Sequence, residues 1–246
     1  MRVRLLAASF ALTALLAGCG GSSPSTTSTF TPTAETTTEP IPYAPLPNGE
    51  KGKFPEQIVT DAIAAATKAT TVHITGSVMN QGKPLKLNLD LVTGKGGSGT
   101  VSVNGLTFQI VRIGAKAYFK GDTAFWSHFG GTGLGPILNG RWIEASALTG
   151  DLASFTPLTD VNELFTSVLG AHGPLLKGSN NVTIDGKPAI GIVDTGQNAT
   201  LFIAANGAPY PLKLEQSDGG LVTFDNWNAP VSLQAPKGAV ELDKLK

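Results

Sequence analysis

In "LKLNLDLV", residues 85–92, Leu85, Leu87, Leu89 and Leu91 alternate with Lys86, Asn88 and Asp90. A period of two places every leucine on one face, which predicts a strand dry on one side and wet on the other. "LTFQIVRI" repeats the pattern, with Leu106, Phe108 and Ile110 sharing a face. Asn104-Gly105, Asp185-Gly186, Asn206-Gly207 and Asp218-Gly219 stand between such runs and supply the positive φ of tight hairpins. The alternation predicts strands over 72–79, 84–93, 98–103, 106–113, 115–120, 180–185, 188–194, 198–204, 209–217 and 220–226. The result is a meandering antiparallel sheet of roughly nine to eleven strands.

Other segments follow the helical period. "PEQIVTDAIAAATKAT" begins with Pro55, carries Glu56 in its first turn, and spaces Ile58, Ala62, Ala65, Ala66 and Ala69 along one side. An alanine-rich face of this kind suits close packing against something broad, such as a sheet. In the middle of the chain the alternation stops, and helices are expected near 122–128, 150–155 and 160–171. The last is the clearest: Asp160 caps it, and Val161, Leu164, Phe165, Val168 and Leu169 form one stripe. Strands on both sides of a helical insertion predict an α+β fold, with helices layered on an antiparallel sheet.

The first residues read as an address. Arg2 and Arg4 precede an apolar run from Leu5 to Ala17, which is shorter than a ~20-residue membrane span and of signal-peptide length. It ends in Leu16-Ala17-Gly18-Cys19, which resembles the bacterial lipobox, and Cys19 is the single cysteine of the chain. A signal peptide over 1–18 is therefore expected, with Cys19 as the lipidation site. Residues 19–53 are rich in Ser, Thr, Pro and Gly and read as a disordered tether, since such a composition buries too little surface to offset its ordering entropy. One folded domain is expected over 54–246. This places the protein in the cell envelope, lipid-anchored to the outer face of the cytoplasmic membrane or in an outer membrane.

Charge and chemistry remove several function classes. Lys+Arg and Asp+Glu each number 18, and loss of the two arginines with residues 1–18 leaves a net charge of −2 before terminal groups. With no basic cluster, nucleic acid is not an expected partner. His73, His128 and His172 are far apart in sequence and form no metal-spaced pair, and no second cysteine exists to complete a thiolate site. His73 lies on an expected strand and reads as a packed or edge residue. Neither a nucleophile elbow nor a phosphate loop is present, and "GKGGSG", residues 94–99, leads into "TVSV" as a hairpin connection rather than into a helix. Asp160 and Glu163 read as helix-start residues. No enzyme, cofactor or metal site is expected.

Phe125, Trp126 and Phe129, followed by Leu134, Ile137 and Leu138, lie in the glycine-rich context "HFGGTGLGPILNG". Two readings fit: a mobile loop whose large side chains pack inward or swing aside, or a plug that fills the sheet. Periodicity does not separate a core from a cavity wall.

With its lipobox and low-complexity spacer, an opening helix ending in "ATTVHITGSV", and "KAYFKGDTAFW" ahead of the helical insertion, the chain resembles the LppX/LprAFG lipid-carrier lipoproteins. "NNVTIDGKPAIGIVDT", "ATLFIAANGAPYPLKLEQ" and "LVTFDNWNAP" extend the resemblance over nearly all of the mature chain, and more distantly it is similar to the LolA/LolB fold. The resemblance implies a strongly curved antiparallel half-barrel with helices packed on its concave face, enclosing a hydrophobic cavity for acyl chains. It also implies a lipid or acylated ligand, an envelope transport partner and a monomer that transfers lipid or lipoprotein across the envelope. Alternation and helix stripes nominate the cavity residues: Leu87, Leu89, Phe108 and Ile110 from the sheet, and Phe125, Trp126, Leu164, Phe165 and Val168 from the helical cover. The rival expectation is a non-catalytic envelope interaction or sensor module with a filled core.

Overall fold

The structure, a computed structural model, describes residues 45–80, 83–131, 133–146 and 151–241. The expected signal peptide, Cys19 and the tether as far as residue 44 lie outside the described residues.

The opening helix, α1 (Pro55–Lys68), has proline in its first turn and buries Ile58, Val59, Ala62 and Ala66. At Ala69 the backbone turns extended, and a meander of five strands follows: β1 (Thr71–Asn80), β2 (Lys83–Val92), β3 (Gly96–Val103), β4 (Leu106–Ile113) and β5 (Lys116–Gly121). The insertion contributes α2 (Thr123–Gly130), α3 (Gly135–Leu138), β6 (Ile143–Ser146), a 3-10 segment over Asp151–Thr159, and α4 (Val161–Gly170). The chain then returns as β7 (Leu175–Lys177), β8 (Val182–Ile184), β9 (Lys187–Asp194), β10 (Ala199–Ala204), β11 (Pro211–Gln216), β12 (Leu221–Asp225) and β13 (Val240–Glu241).

All thirteen strands join one curved, unclosed sheet in the order β13-β6-β5-β4-β3-β2-β1-β12-β11-β10-β9, with β7 and β8 both on the outer edge of β9. Every pairing is antiparallel except β13 with β6. The expected half-barrel is thus present, with three short strands beyond those that alternation indicated: β6, β7 and β13. Four residues or fewer carry too little pattern to register as strands.

Alternation set the inward face. Leu87, Leu89, Leu91, Phe108 and Ile110 are buried in the main core together with Ile58 and Ala62 of α1, Phe125 of α2, and Leu164 and Phe165 of α4. The helices therefore cover one face of the sheet, and the core lies between. Asn104-Gly105 and Asp185-Gly186 have positive φ at both residues, as two-residue hairpin turns require. The glycine run behaves differently from expectation. The turn occupies residues 93–95, and Gly96, Gly97 and Gly99 belong to β3 itself. Gly99 has φ +154°, and a Cβ there would lie 2.0 Å from the Asn88 carbonyl oxygen. Only glycine lets β3 run this close to β2, at a point where the sheet bends.

Residues 45–53, read from composition as the end of the tether, are instead strapped to the domain. The Asn48 amide donates to the Ala205 carbonyl at 3.1 Å, and its side-chain nitrogen donates to the Ala204 carbonyl at 2.9 Å. The Lys177 ammonium donates to the carbonyls of Lys51 and Lys53. Glu50 is buried and pairs at 2.7 Å with Lys53, which also binds Asp61 of α1 at 2.6 Å. These bonds go mostly to backbone, so they leave no hydrophobic signature in the sequence.

His73 is a packed residue, not an edge one. It stands on β1 between β2 and β12, with Nδ1 2.8 Å from Asp225 Oδ1 and Nε2 3.2 Å from Asn88 Oδ1. Burial alone would lower its pKa, but bonds to Asp225 and Asn88 and the charges of Asp225 and Asp90 outweigh it and hold the imidazole above its ordinary value. A protonated Nδ1 donates to the Asp225 carboxylate, which favours the charged ring.

Two predictions follow from this geometry. Gly99→Val should cost about 2–4 kcal/mol in urea unfolding, since the new side chain meets backbone that cannot yield. The stability contributed by His73 should be fully present below about pH 6.5, the unfolded value, and fall as pH rises through the raised folded value. His73→Asn should remove that fall, read as urea midpoints across pH 5–9.

Candidate functional site

The inward stripe of α4 and the sheet beneath it do not fully meet. Asp160 caps the helix by accepting the Glu163 amide at 3.1 Å, and its other oxygen lies 3.4 Å from Arg112 on β4. That pins the start of α4 to the sheet. From there Val161, Leu164, Phe165 and Leu169 turn inward, while Val168 stays 45% exposed at the margin.

Under this stripe is a cavity of about 100 Å³ bounded only by apolar residues, among them Ile74, Leu87, Leu164, Phe165, Val222 and Phe224. Between Ile74 and Val78, which line it, β1 carries Gly76, paired with Leu87 on one side and Val222 on the other. Gly76 has φ +136°, and a Cβ there would lie 2.1 Å from the Leu221 carbonyl oxygen, so glycine lets β1 lie close against β12 beside the cavity. A wider, open cleft of about 340 Å³ adjoins this cavity and shares Val78, Leu85, Val168, Leu169 and Leu214 with it. Leu175, Ile192 and Leu201 continue its apolar wall, and Ser167, His172, Asp194, Gln197 and Gln216 stand at its polar side.

The nine nominated residues divide between two environments. Leu87, Leu164, Phe165 and Val168 line the cavity. Leu89, Phe108, Ile110, Phe125 and Trp126 do not; each is at most 1% exposed and belongs to a packed mass under α2. There the Phe108 ring lies 4.7 Å from both Phe125 and Phe155, and Phe125 meets Trp126 edge-on at 4.9 Å and Phe129 at 4.8 Å. Of the two readings of the aromatic cluster, the structure has the plug. Its flanking glycines serve close approach: a Cβ on Gly121 would lie 2.3 Å from the Phe125 ring, and one on Gly135 would lie 2.2 Å from Ser127 Oγ.

Sequence reasoning missed the far wall. Val222 and Phe224 alternate in "LVTFD", and Leu201 and Ile192 sit on strands that were recognised, but nothing local shows that these strands face α4. The signal lay in their alternation; the missing knowledge was which strand pairs with β1.

The three histidines stand in separate places. His73 lies between β2 and β12, His128 sits edge-on to Phe129, and His172 is at the cleft mouth. Among the described residues, no three His, Cys, Asp or Glu side chains are grouped to hold a metal ion, and no helix is long and apolar enough to cross a membrane.

No protein-family model matches the sequence, and no curated protein is significantly similar to it. Solved structures do match. The crystal structure of LprF from Mycobacterium bovis is 17% identical, and the match covers 78% of this chain and all of that one, with a TM-score of 0.52. MucB in its Pseudomonas aeruginosa complex with MucA matches at 14% identity over 74% of this chain and 61% of that one, with a TM-score of 0.35. MucB alone matches at 17% identity over 74% and 62%, with a TM-score of 0.30. The chain has the fold of LprF, the half-barrel architecture that its resemblance to the LppX/LprAFG lipoproteins implied.

Proposed function

We propose that the protein is an envelope lipoprotein, anchored through Cys19, that takes lipid acyl chains into the cleft beneath α4 and carries them to a partner in the envelope. The observation that supports this reading is the unfilled space between α4 and the sheet, lined only by apolar residues in its smaller part and with polar residues along one side of its larger part. Water in such a space is held by few partners, so an alkyl chain displaces it favourably. A chain that buries about ten methylenes there gains roughly 8 kcal/mol before ordering costs. Affinity of this origin needs no precise polar contact, which suits a carrier that must also release its load. The lipobox at Cys19 and the LprF-like fold agree with this reading. With no cluster of groups for nucleophilic or metal chemistry on the described surface, we read the protein as a binder rather than an enzyme.

Two experiments test the proposal. Leu85 is half-buried and borders both the smaller cavity and the wider cleft. Leu85→Trp should fill the cleft and weaken a fluorescent acyl probe by about tenfold or more, equal to ~1.4 kcal/mol, while leaving the thermal midpoint nearly unchanged. Leu89→Trp, at a fully buried position, should instead lose about 1–3 kcal/mol of stability through overpacking. Unaltered probe binding by Leu85→Trp would show that the cleft is not the site. For the anchor, Cys19→Ser should abolish metabolic labelling with an alkyne fatty acid and move the protein from the membrane to the soluble fraction.

A further inference from the structure

One feature of the cleft restricts its ligand more narrowly than acyl binding alone, and it is the chemistry of the mouth.

The polar residues there are Ser167, His172, Asp194, Gln197 and Gln216, and none of the described lining residues is Lys or Arg. Asp194 is only 9% exposed, and its carboxylate accepts the amides of Gly173, Gly196 and Gln197 at 3.2, 2.8 and 3.1 Å. Loop amides that would serve a phosphate are therefore already taken by a carboxylate. α4 also points its C-terminal end, the negative end of its dipole, at the mouth, where Ala171 and His172 follow Gly170. Lys83, next along β2 beyond Leu85, is exposed and stands outside the lining.

We infer that the cleft takes a lipid with an uncharged, hydrogen-bonding head group, of the acylglycerol class, and disfavours phosphate-bearing lipids. The inference rests on the acyl-binding reading above. Its test is competition against a bound fluorescent monoacylglycerol, using the delipidated mature protein at pH 8. 1-Palmitoylglycerol should displace the probe. 1-Palmitoyl lysophosphatidate, which has the same chain, should be about tenfold weaker or worse. His172→Lys, at an exposed position, should strengthen lysophosphatidate by about tenfold and leave 1-palmitoylglycerol within about threefold. Equal binding of the two lipids by the unaltered protein, or indifference to His172→Lys, would overturn the inference while leaving acyl binding intact. Failure to bind the probe or either lipid would remove the acyl-binding reading as well.

Discussion

β1 carries hydrogen bonds on both sides, to β2 next to it in sequence and to β12, where His73 faces Asp225 across 152 positions of chain. That second ladder makes one surface out of two meanders, 71–121 and 175–225, that would otherwise be separate sheets. The site depends on it directly. α4 covers a seam whose near wall, Leu87, comes from the first meander and whose far wall, Val222 and Leu214, comes from the second. Without the β1–β12 pairing there is no enclosed space for α4 to cover.

The two halves of the concave face are finished differently, and side-chain shape accounts for it. Under α2 the cover is aromatic: flat rings tilt and meet edge-on at 4.7–4.9 Å and close the space. The fit is close enough that the Trp126 indole nitrogen is buried without a hydrogen-bond partner, a cost the surrounding packing carries. Under α4 the cover combines Leu164, Val168 and Leu169 with the single ring of Phe165, and here the side chains of helix and sheet leave space between them.

The inner and outer faces of the first meander were legible because period-two alternation is a local property: Leu87, Leu89, Phe108 and Ile110 all turned inward, as their spacing required. The helix stripe on α4 was legible for the same reason, and Asp160 was recognisable as its cap. The glycines were less so. "GKGGSG" reads as a connection by composition, yet three of its glycines lie within β3, where a neighbouring backbone leaves no room for Cβ. The strap over residues 45–53 was hidden too, since most of its bonds end on backbone carbonyls that every residue possesses.

By itself, then, the sequence determined the longer strands and helices and which side of each is apolar, because those depend on neighbours two to four positions away. It could not say whether an inward residue meets a ring, another branched side chain or empty space. Leu87 and Leu89 are alike by every local measure, and only the tertiary structure makes one a cavity wall and the other solid core. The difference is decided by what lies opposite each residue, and those partners arrive from strands and helices far away in the chain.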